Sequence, residues 1–417
     1  VTSVTECAPH GGERNRLRWF IIGWITLSTI LNYVDRQTLS ILAPLLRDEF
    51  HLSNQDYSHI VTAFLVSYTV MYTVSGRVVD WVGERTGMAI SIIWWSLATM
   101  MHSLAQGVLS LGIFRFVLGI GEPGNYPAAL RATARWFSKS ERGLPIAIYS
   151  SGSVVGAIAA PPLIIWLTLS YGWRIAFLLP GSIGLLWVIV WLMVYRLPKA
   201  TPTPRDAQPQ RWVHLLRNRN VLAIVLARLI ADPVWYFYLF WIPEYLKRER
   251  GMSLAEIGAC AWIPFVAADL GGILGGLASD RLSRAGVPSA LARRRVLIGS
   301  ALIAPLGILT GVAGSAGIAI ALICVVAFVC QCWFINTAAM ASDVCRDDTV
   351  GSVQGLMGTA GSGGGILFTA LVGFLVDHFS YVSVFALAGS MHMIAALVIW
   401  FLTGPSLGNP GTERTST

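Results

Sequence analysis

Twelve mostly apolar stretches, each about 20 residues or longer, run almost end to end through this 417-residue chain. About 20 residues is what a helix needs to cross the hydrocarbon core of a bilayer. The stretches lie at roughly 17–42, 57–79, 87–106, 109–134, 144–168, 174–196, 220–246, 255–279, 295–314, 316–340, 352–376 and 381–403, and are called spans 1 to 12 below. Twelve spans joined by short connections leave no room for a soluble catalytic domain. Composition agrees: 55% of the residues are hydrophobic and 12% charged, against a charged share of roughly 25% in soluble proteins. With mean hydropathy at +0.63, the polar residues could not cover a soluble surface. The expectation is an all-α, multi-pass membrane protein. Span 1 follows a basic stretch, lacks a small-residue cleavage pattern after it, and carries Asn32, Asp35 and Arg36. It reads as a true helix rather than a removed leader.

The net charge of +8 is mainly topology. Of the 30 Lys and Arg residues, 22 fall in the N-terminal tail, the connections after spans 2, 4, 6, 8 and 10, and the C-terminal tail. Basic loops stay in the cytoplasm, so both termini are expected inside. No nucleic-acid motif accompanies the basic residues. The six cysteines (Cys7, Cys260, Cys324, Cys330, Cys332 and Cys345) lack metal-ligand spacing. They read as small packing residues, with no metal and no cofactor expected. The longest connection, 197–219, is rich in Pro and charge and reads as a solvated linker. It divides a lobe at 1–196 from a second at 220–403, with a cytoplasmic tail at 404–417.

The two halves repeat each other. Gly76-Arg77-Val78-Val79-Asp80 follows span 2, and Gly276-Leu277-Ala278-Ser279-Asp280 follows span 8. Each Gly allows close helix approach and each Asp can cap or pair across a helix end. Arg85 and Arg281 belong to the same two loops, which sit where the lobes would close on the cytoplasmic side. Such a duplication is the sign of a two-lobed transporter with its site at the lobe interface.

The paired motif, the span count and the basic central loop resemble the major facilitator superfamily across essentially the whole chain. The first copy departs from its pattern, with Trp81 where a basic residue is usual. Asn32-Tyr33-Val34-Asp35-Arg36 and the run from Arg115 to Pro127 look like the anion:cation symporter branch. Asp232-Pro233-Val234-Trp235-Tyr236-Phe237-Tyr238-Leu239-Phe240-Trp241 looks most like bacterial hexuronate permeases. The resemblance implies two pseudo-symmetric six-helix lobes, a bacterial inner membrane and a small anionic substrate carried together with protons.

Ionisable groups inside a membrane are costly and default to function. At about 1.5 Å of rise per residue, Asp35, Arg36 and Arg115 share one level in the outer half. Glu122, seven residues past Arg115, lies two turns deeper on nearly the same face. Arg36 or Arg115 can fork onto a carboxylate. Asp35 and Glu122 can take protons, since desolvation disfavours their charged forms. A static network locking spans 1 and 4 is the bland alternative. In the resembled branch the residues matching Asp35 and Glu122 carry protons, the one matching Arg36 binds the substrate acid, and the one matching Arg115 supports the network. Tyr68 matches a sugar-acid-binding tyrosine there, and Ser153 stands where galactonate permeases carry a glutamine.

Tyr126, one turn past Glu122, could face the same cavity. A 200-residue offset maps Asp35 and Arg36 onto Trp235 and Tyr236, so the second lobe answers charge with aromatic surface. Arg228 and Asp232, at i and i+4, most simply pair with each other. Asn336 and Ser362 are candidate hydroxyl binders. His102 and His392 read as satisfied core residues. The sum is a proton-coupled symporter for a hexuronate or related sugar acid, acting as a monomer and driven by the proton gradient. Two rivals stay open: an exchanger or permease for another carboxylate, and a polytopic sensor or enzyme. The second lacks the clustered ionisable groups of an enzyme and the appended domain of a sensor.

Overall fold

The computed structural model describes residues 11–137, 143–195, 215–345 and 350–403. Most of the linker and all of the tail at 404–417 lie outside them. Among the described residues the chain is helical, with no strand. Twelve transmembrane passes follow the twelve apolar stretches. Spans 1 to 3 are Gly11–Phe50, Asn54–Val82 and Glu84–Met101, and spans 5 to 7 are Gly143–Tyr171, Trp173–Val194 and Arg219–Arg248. Spans 10 to 12 are Ala316–Val344, Val350–His378 and Tyr381–Leu402. Span 8 breaks between Leu254–Cys260 and Ile263–Arg284, and span 9 runs from Ser289–Ala301 into a tighter 3-10 stretch, Ala304–Val312. Span 4 is also broken: Val108–Gly121 and Asn125–Trp136 flank a single 3-10 turn, Glu122–Gly124. Pro123 has no N–H to continue the ladder, so the interruption falls at the buried acid. Ten passes are long and apolar enough to be recognised as spans by hydropathy. Span 4 carries Arg115 and Glu122 within its apolar stretch.

Pairing repeats with the sequence. Span 1 packs on 5, 2 on 4 and 3 on 6; six spans later, 7 packs on 11, 8 on 10 and 9 on 12. Even the caps repeat at the 200-residue offset. Ser53 with Asp56 opens span 2, and Ser253 with Glu256 opens span 8, each a reciprocal capping box.

Small residues set the spacing of these pairs, since water expulsion does not drive helices together in lipid. A Cβ on Gly271 would sit 2.1 Å from the Phe328 carbonyl oxygen, and one on Gly275 2.5 Å from Cys332 Sγ. The repeat glycines do not have that role. Nothing lies within 4 Å of a Cβ built on Gly76, and Gly276 meets only Ile335 Cγ2, at 3.8 Å. Close approach is made by Gly271 and Gly275, on the face that meets span 10. Gly271→Ala should therefore cost about 1–3 kcal/mol by overpacking against rigid backbone. A lowered melting temperature of the purified protein would register it, with Gly76→Ala as the near-neutral control.

The lobes meet at the end where the turns around residues 51, 172, 250 and 380 lie, called here the loop-51 end. Arg47 Nη1 meets Glu244 Oε1 at 2.5 Å, and both side chains are buried. Arg248 pairs with Glu244 and Asp48, and Lys247 with Asp48. Asn54 donates to Asp377 at 2.6 Å, Tyr57 to the Phe240 carbonyl at 2.6 Å, and Ser58 to that of Thr369 at 2.7 Å. Spans 1 and 7, and 2 and 11, are thus closed on each other. At the opposite end, the 125–136 half of span 4 packs on spans 1, 2, 3 and 5 of its own lobe. Tyr126 is 52% exposed there.

Candidate functional site

Arg36 is the centre of the arrangement. Its Nε and Nη2 both donate to Glu122 Oε2, at 2.7 and 2.6 Å, joining span 1 to the break in span 4. Nη2 also reaches Asn32 Oδ1 at 3.4 Å. The guanidinium lies over three rings: Tyr68 at 4.7 Å, Tyr33 at 5.0 Å and Phe64 at 5.8 Å. A planar cation held among aromatic faces loses little on desolvation. The contact with Glu122 runs through Nε and Nη2 and leaves Nη1 outside it, and Glu122 Oε1 is a buried acceptor without a hydrogen-bond partner. One nitrogen of the cation thus stands outside the ion pair, and one oxygen of the acid is uncommitted.

Arg115 supports this geometry from behind. Both of its terminal nitrogens donate to the Arg36 carbonyl oxygen at 3.1 Å, and its guanidinium lies 5.6 Å from the Phe64 ring. It is fully buried. Asp35 turns the other way. Consecutive helix residues are rotated by about 100°, and the Asp35 carboxylate faces Thr99 and Trp95 of span 3, whose polar groups approach it without closing to full hydrogen-bond geometry. Depth alone put Asp35 and Arg36 together; the helix rotation separates them onto two faces.

The second lobe supplies the far wall. Tyr236 stacks with Phe240 at 6.3 Å and lies within electrostatic reach of Tyr68, Tyr72, Arg36 and Asp232. Arg228 and Asp232 do pair, at 2.8 Å, with Arg228 4.1 Å over the Phe334 ring. Tyr72, one turn along span 2 from Tyr68 with the two rings tilted at 52°, touches Gly358 of span 11. Trp235 is not in this group. It packs edge-on against Phe265 and lines a separate small cavity of about 30 Å³ with Gln37, Ser40 and Tyr238.

Other expected contacts are turned elsewhere. Asn336 is fully buried against Gly275 and donates to the Cys332 carbonyl at 2.9 Å, so it serves the span 8–10 joint. Ser362 is buried and donates to the Gly358 carbonyl at 2.8 Å, and Ser153 donates to that of Ser150 at 2.7 Å. Tyr126 reaches only the rim, edge-on to Tyr149. In the repeat loops, the side chain of Asp80 lies outside the described residues. Arg85 donates to the Leu192 carbonyl. Asp280 lies 3.6 Å from Arg293, which also binds Asp343 at 2.8 Å and Ser279 at 2.9 Å. Arg281 is exposed.

Two ionic clusters escaped the sequence reading. Glu84, fully buried, is held by Arg131 at 3.3 Å, Arg135 at 3.2 Å and the Tyr195 hydroxyl at 3.1 Å. The signal was the i, i+4 spacing of the two arginines. The other is Arg47 with Glu244. The 200-residue offset that maps Arg36 to Tyr236 also sets residue 47 beside 247.

The sequence profile described as the Major Facilitator Superfamily matches residues 25–292 and 289–416. The chain is 33% identical over 404 residues to the "Hexuronate transporter" of Escherichia coli (strain K12), covering 92% of this chain and 93% of that protein. It is 36% identical over 279 residues to the "Galacturonate transporter" of Dickeya chrysanthemi, covering 62% of this chain and 81% of that one. It is 27% identical over 421 residues to a "D-galactonate transporter" of Escherichia coli O6:H1, covering 95% and 97%. Among solved structures, a bacterial homolog of the human lysosomal transporter Spinster, inward-facing and occupied, has the same fold. It superposes with a TM-score of 0.73 at 18% identity, covering 92% of this chain and 95% of that one. Fold, profile and near-full-length relatives together make the chain a member of the Major Facilitator Superfamily, a multi-pass membrane transporter rather than an enzyme.

Proposed function

We propose that the protein is a proton-coupled symporter that imports a hexuronate or a related sugar acid across a bacterial inner membrane, as a monomer with both termini in the cytoplasm. The observation that carries this reading is the Arg36–Glu122 ion pair among the rings of Tyr33 and Tyr68. Without a substrate, Arg36 is neutralised by ionised Glu122. A sugar acid brings a second carboxylate to the same guanidinium, through Nη1 first. Two acids cannot both stay ionised on one buried cation, so a proton on Glu122 releases Arg36 to form a forked pair with the substrate. The rings of Tyr68 and Tyr236 offer faces and hydroxyls to the sugar. The names of the relatives support the substrate class.

With the loop-51 end taken as the outside, the closed lobes correspond to a state shut to the outside. Alternating access then requires Arg47–Glu244 to break. Glu244→Gln removes the charge shared by Arg47 and Arg248, and breaking such a buried pair costs about 3–5 kcal/mol. Spin labels at Gln55 and His378 should therefore report a longer distance in the variant than in the wild type. An unchanged distance distribution would rule out this pair as the outer latch.

Transport itself is tested with proteoliposomes and labelled glucuronate. An imposed proton gradient should drive accumulation above equilibrium, without any anion loaded inside. Accumulation that requires a preloaded anion and ignores the proton gradient would make the protein an exchanger instead.

A further inference from the structure

Trp95, Thr99 and His102 lie at i, i+4 and i+7 along span 3, which puts them on one face. That face meets Asp35 of span 1 and Arg115 of span 4. All five residues are buried. Yet Thr99 Oγ1 and Trp95 Nε1 approach Asp35 without closing to full hydrogen-bond geometry, and the Asp35 oxygens, His102 Nε2 and Arg115 Nε have no partner that does. Buried polar atoms are almost always satisfied, and a cluster of them is the setting that internal water occupies. The charged groups facing Asp35 are Arg115 and Glu122, and Arg115 is the one facing His102.

We propose that this pocket holds water and delivers protons to Asp35 from the loop-51 end, along a route separate from that of the substrate. The inference rests on the symporter reading above for its use in transport, but the pocket itself lies within one lobe. His102 is set up to accept a proton. Its Nδ1 lies 2.8 Å from the Ala98 carbonyl, which can only accept, so Nδ1 carries the hydrogen and Nε2 presents a lone pair. The ring is stacked on Phe177 at 5.1 Å and 12°. His102 also opens the 3-10 turn that ends at Leu104, which is 70% exposed, so one turn separates Nε2 from the surface. The lobes are shut at this end, and Arg36 faces the central space on another side of span 1. Asp35 can therefore be served from outside while the lobes are shut at this end.

The proton balance is simple. A hydronium at the mouth loses an O–H bond as Nε2–H forms. Nε2 returns the proton to water beside Thr99, and the proton ends as an O–H on Asp35. One hydronium becomes water, and the carboxylate loses its charge.

Infrared difference spectroscopy on the full chain in lipid nanodiscs tests this. The carbonyl band of protonated Asp35 is assigned by its loss in Asp35→Asn, and its growth is followed after a jump to acid. His102→Asn keeps an amide donor for the Ala98 carbonyl but has no titratable nitrogen. It should slow the band by about tenfold or more, a modest share of what a positioned acid–base group supplies, and leave its final amplitude unchanged. Thr99→Val, which removes only the hydroxyl, should slow it too, and decides the matter if His102→Asn does not fold. Wild-type rates in both variants, or no Asp35 band at any pH, would overturn the proposal. A wild type that protonates Asp35 by this route yet fails to accumulate glucuronate would instead sink the symport reading and leave the pocket standing.

Discussion

Arg36→Lys is expected to weaken uronate binding by more than about tenfold, although the charge is kept. An ammonium is a point charge without a planar fork, and a forked pair to a carboxylate is the strong form of this contact. In this protein the loss is larger than in solution, because the guanidinium does three things at once. Nε and Nη2 hold Glu122, Nη1 remains for a second acid, and the plane lies over Tyr33 and Tyr68. Lysine can satisfy one of these at a time. Glucuronate titration of the purified variant measures the effect, with its melting temperature as the check on folding. Near-normal affinity would move the carboxylate site to another cation, and Arg115 is then the next to test.

Glu122→Gln should separate binding from energy coupling. The amide keeps the size of the side chain and can still accept a hydrogen bond from Arg36, but it cannot ionise. Arg36 is then free for the substrate at every pH, so binding and exchange should persist and lose their pH dependence. Accumulation against a gradient should fall by about tenfold or more, within the usual range of coupling between two sites. Counterflow and gradient-driven uptake, compared on the same preparation, give the two readouts. If both survive at wild-type levels, Glu122 is a structural partner of Arg36 and the proton is carried elsewhere.

What the amino-acid sequence disclosed follows from how strongly each feature is encoded. A membrane span needs a long apolar run, so all twelve passes were legible, and the 200-residue offset predicted the repeated pairing of spans. Depth is also linear in sequence, which is why Arg36 and Glu122 could be brought together across 86 residues. Azimuth is not legible in the same way. It depends on which neighbours a helix meets, so Asp35 was placed beside Arg36 when it faces span 3, and Trp235 beside Tyr236 when it faces Phe265. Asn336 and Ser362 followed the same pattern, since a polar residue on a span can serve a helix joint as well as a cavity. Glu84 and Glu244 lie at span ends, where a charge is ordinarily solvated. Burial of Glu84 and Glu244 arises only when distant arginines close over them. The repeat glycines were expected to set helix spacing, whereas Gly271 and Gly275, on the neighbouring face of span 8, do so.

The central claim is that substrate and proton bind with positive coupling at Arg36 and Glu122. An arriving anion draws on the positive charge that keeps Glu122 ionised and adds a negative charge of its own, so both effects favour a proton on Glu122. By linkage, protonation must tighten substrate binding by the same factor. Calorimetric titration with glucuronate near neutral pH, repeated in two buffers of different ionisation enthalpy, counts the protons taken up on binding. The account predicts net proton uptake by the wild type, affinity that rises as the pH falls, and uptake lost or reduced in Glu122→Gln. Binding with no proton uptake in the wild type, and an affinity flat across pH, would contradict it.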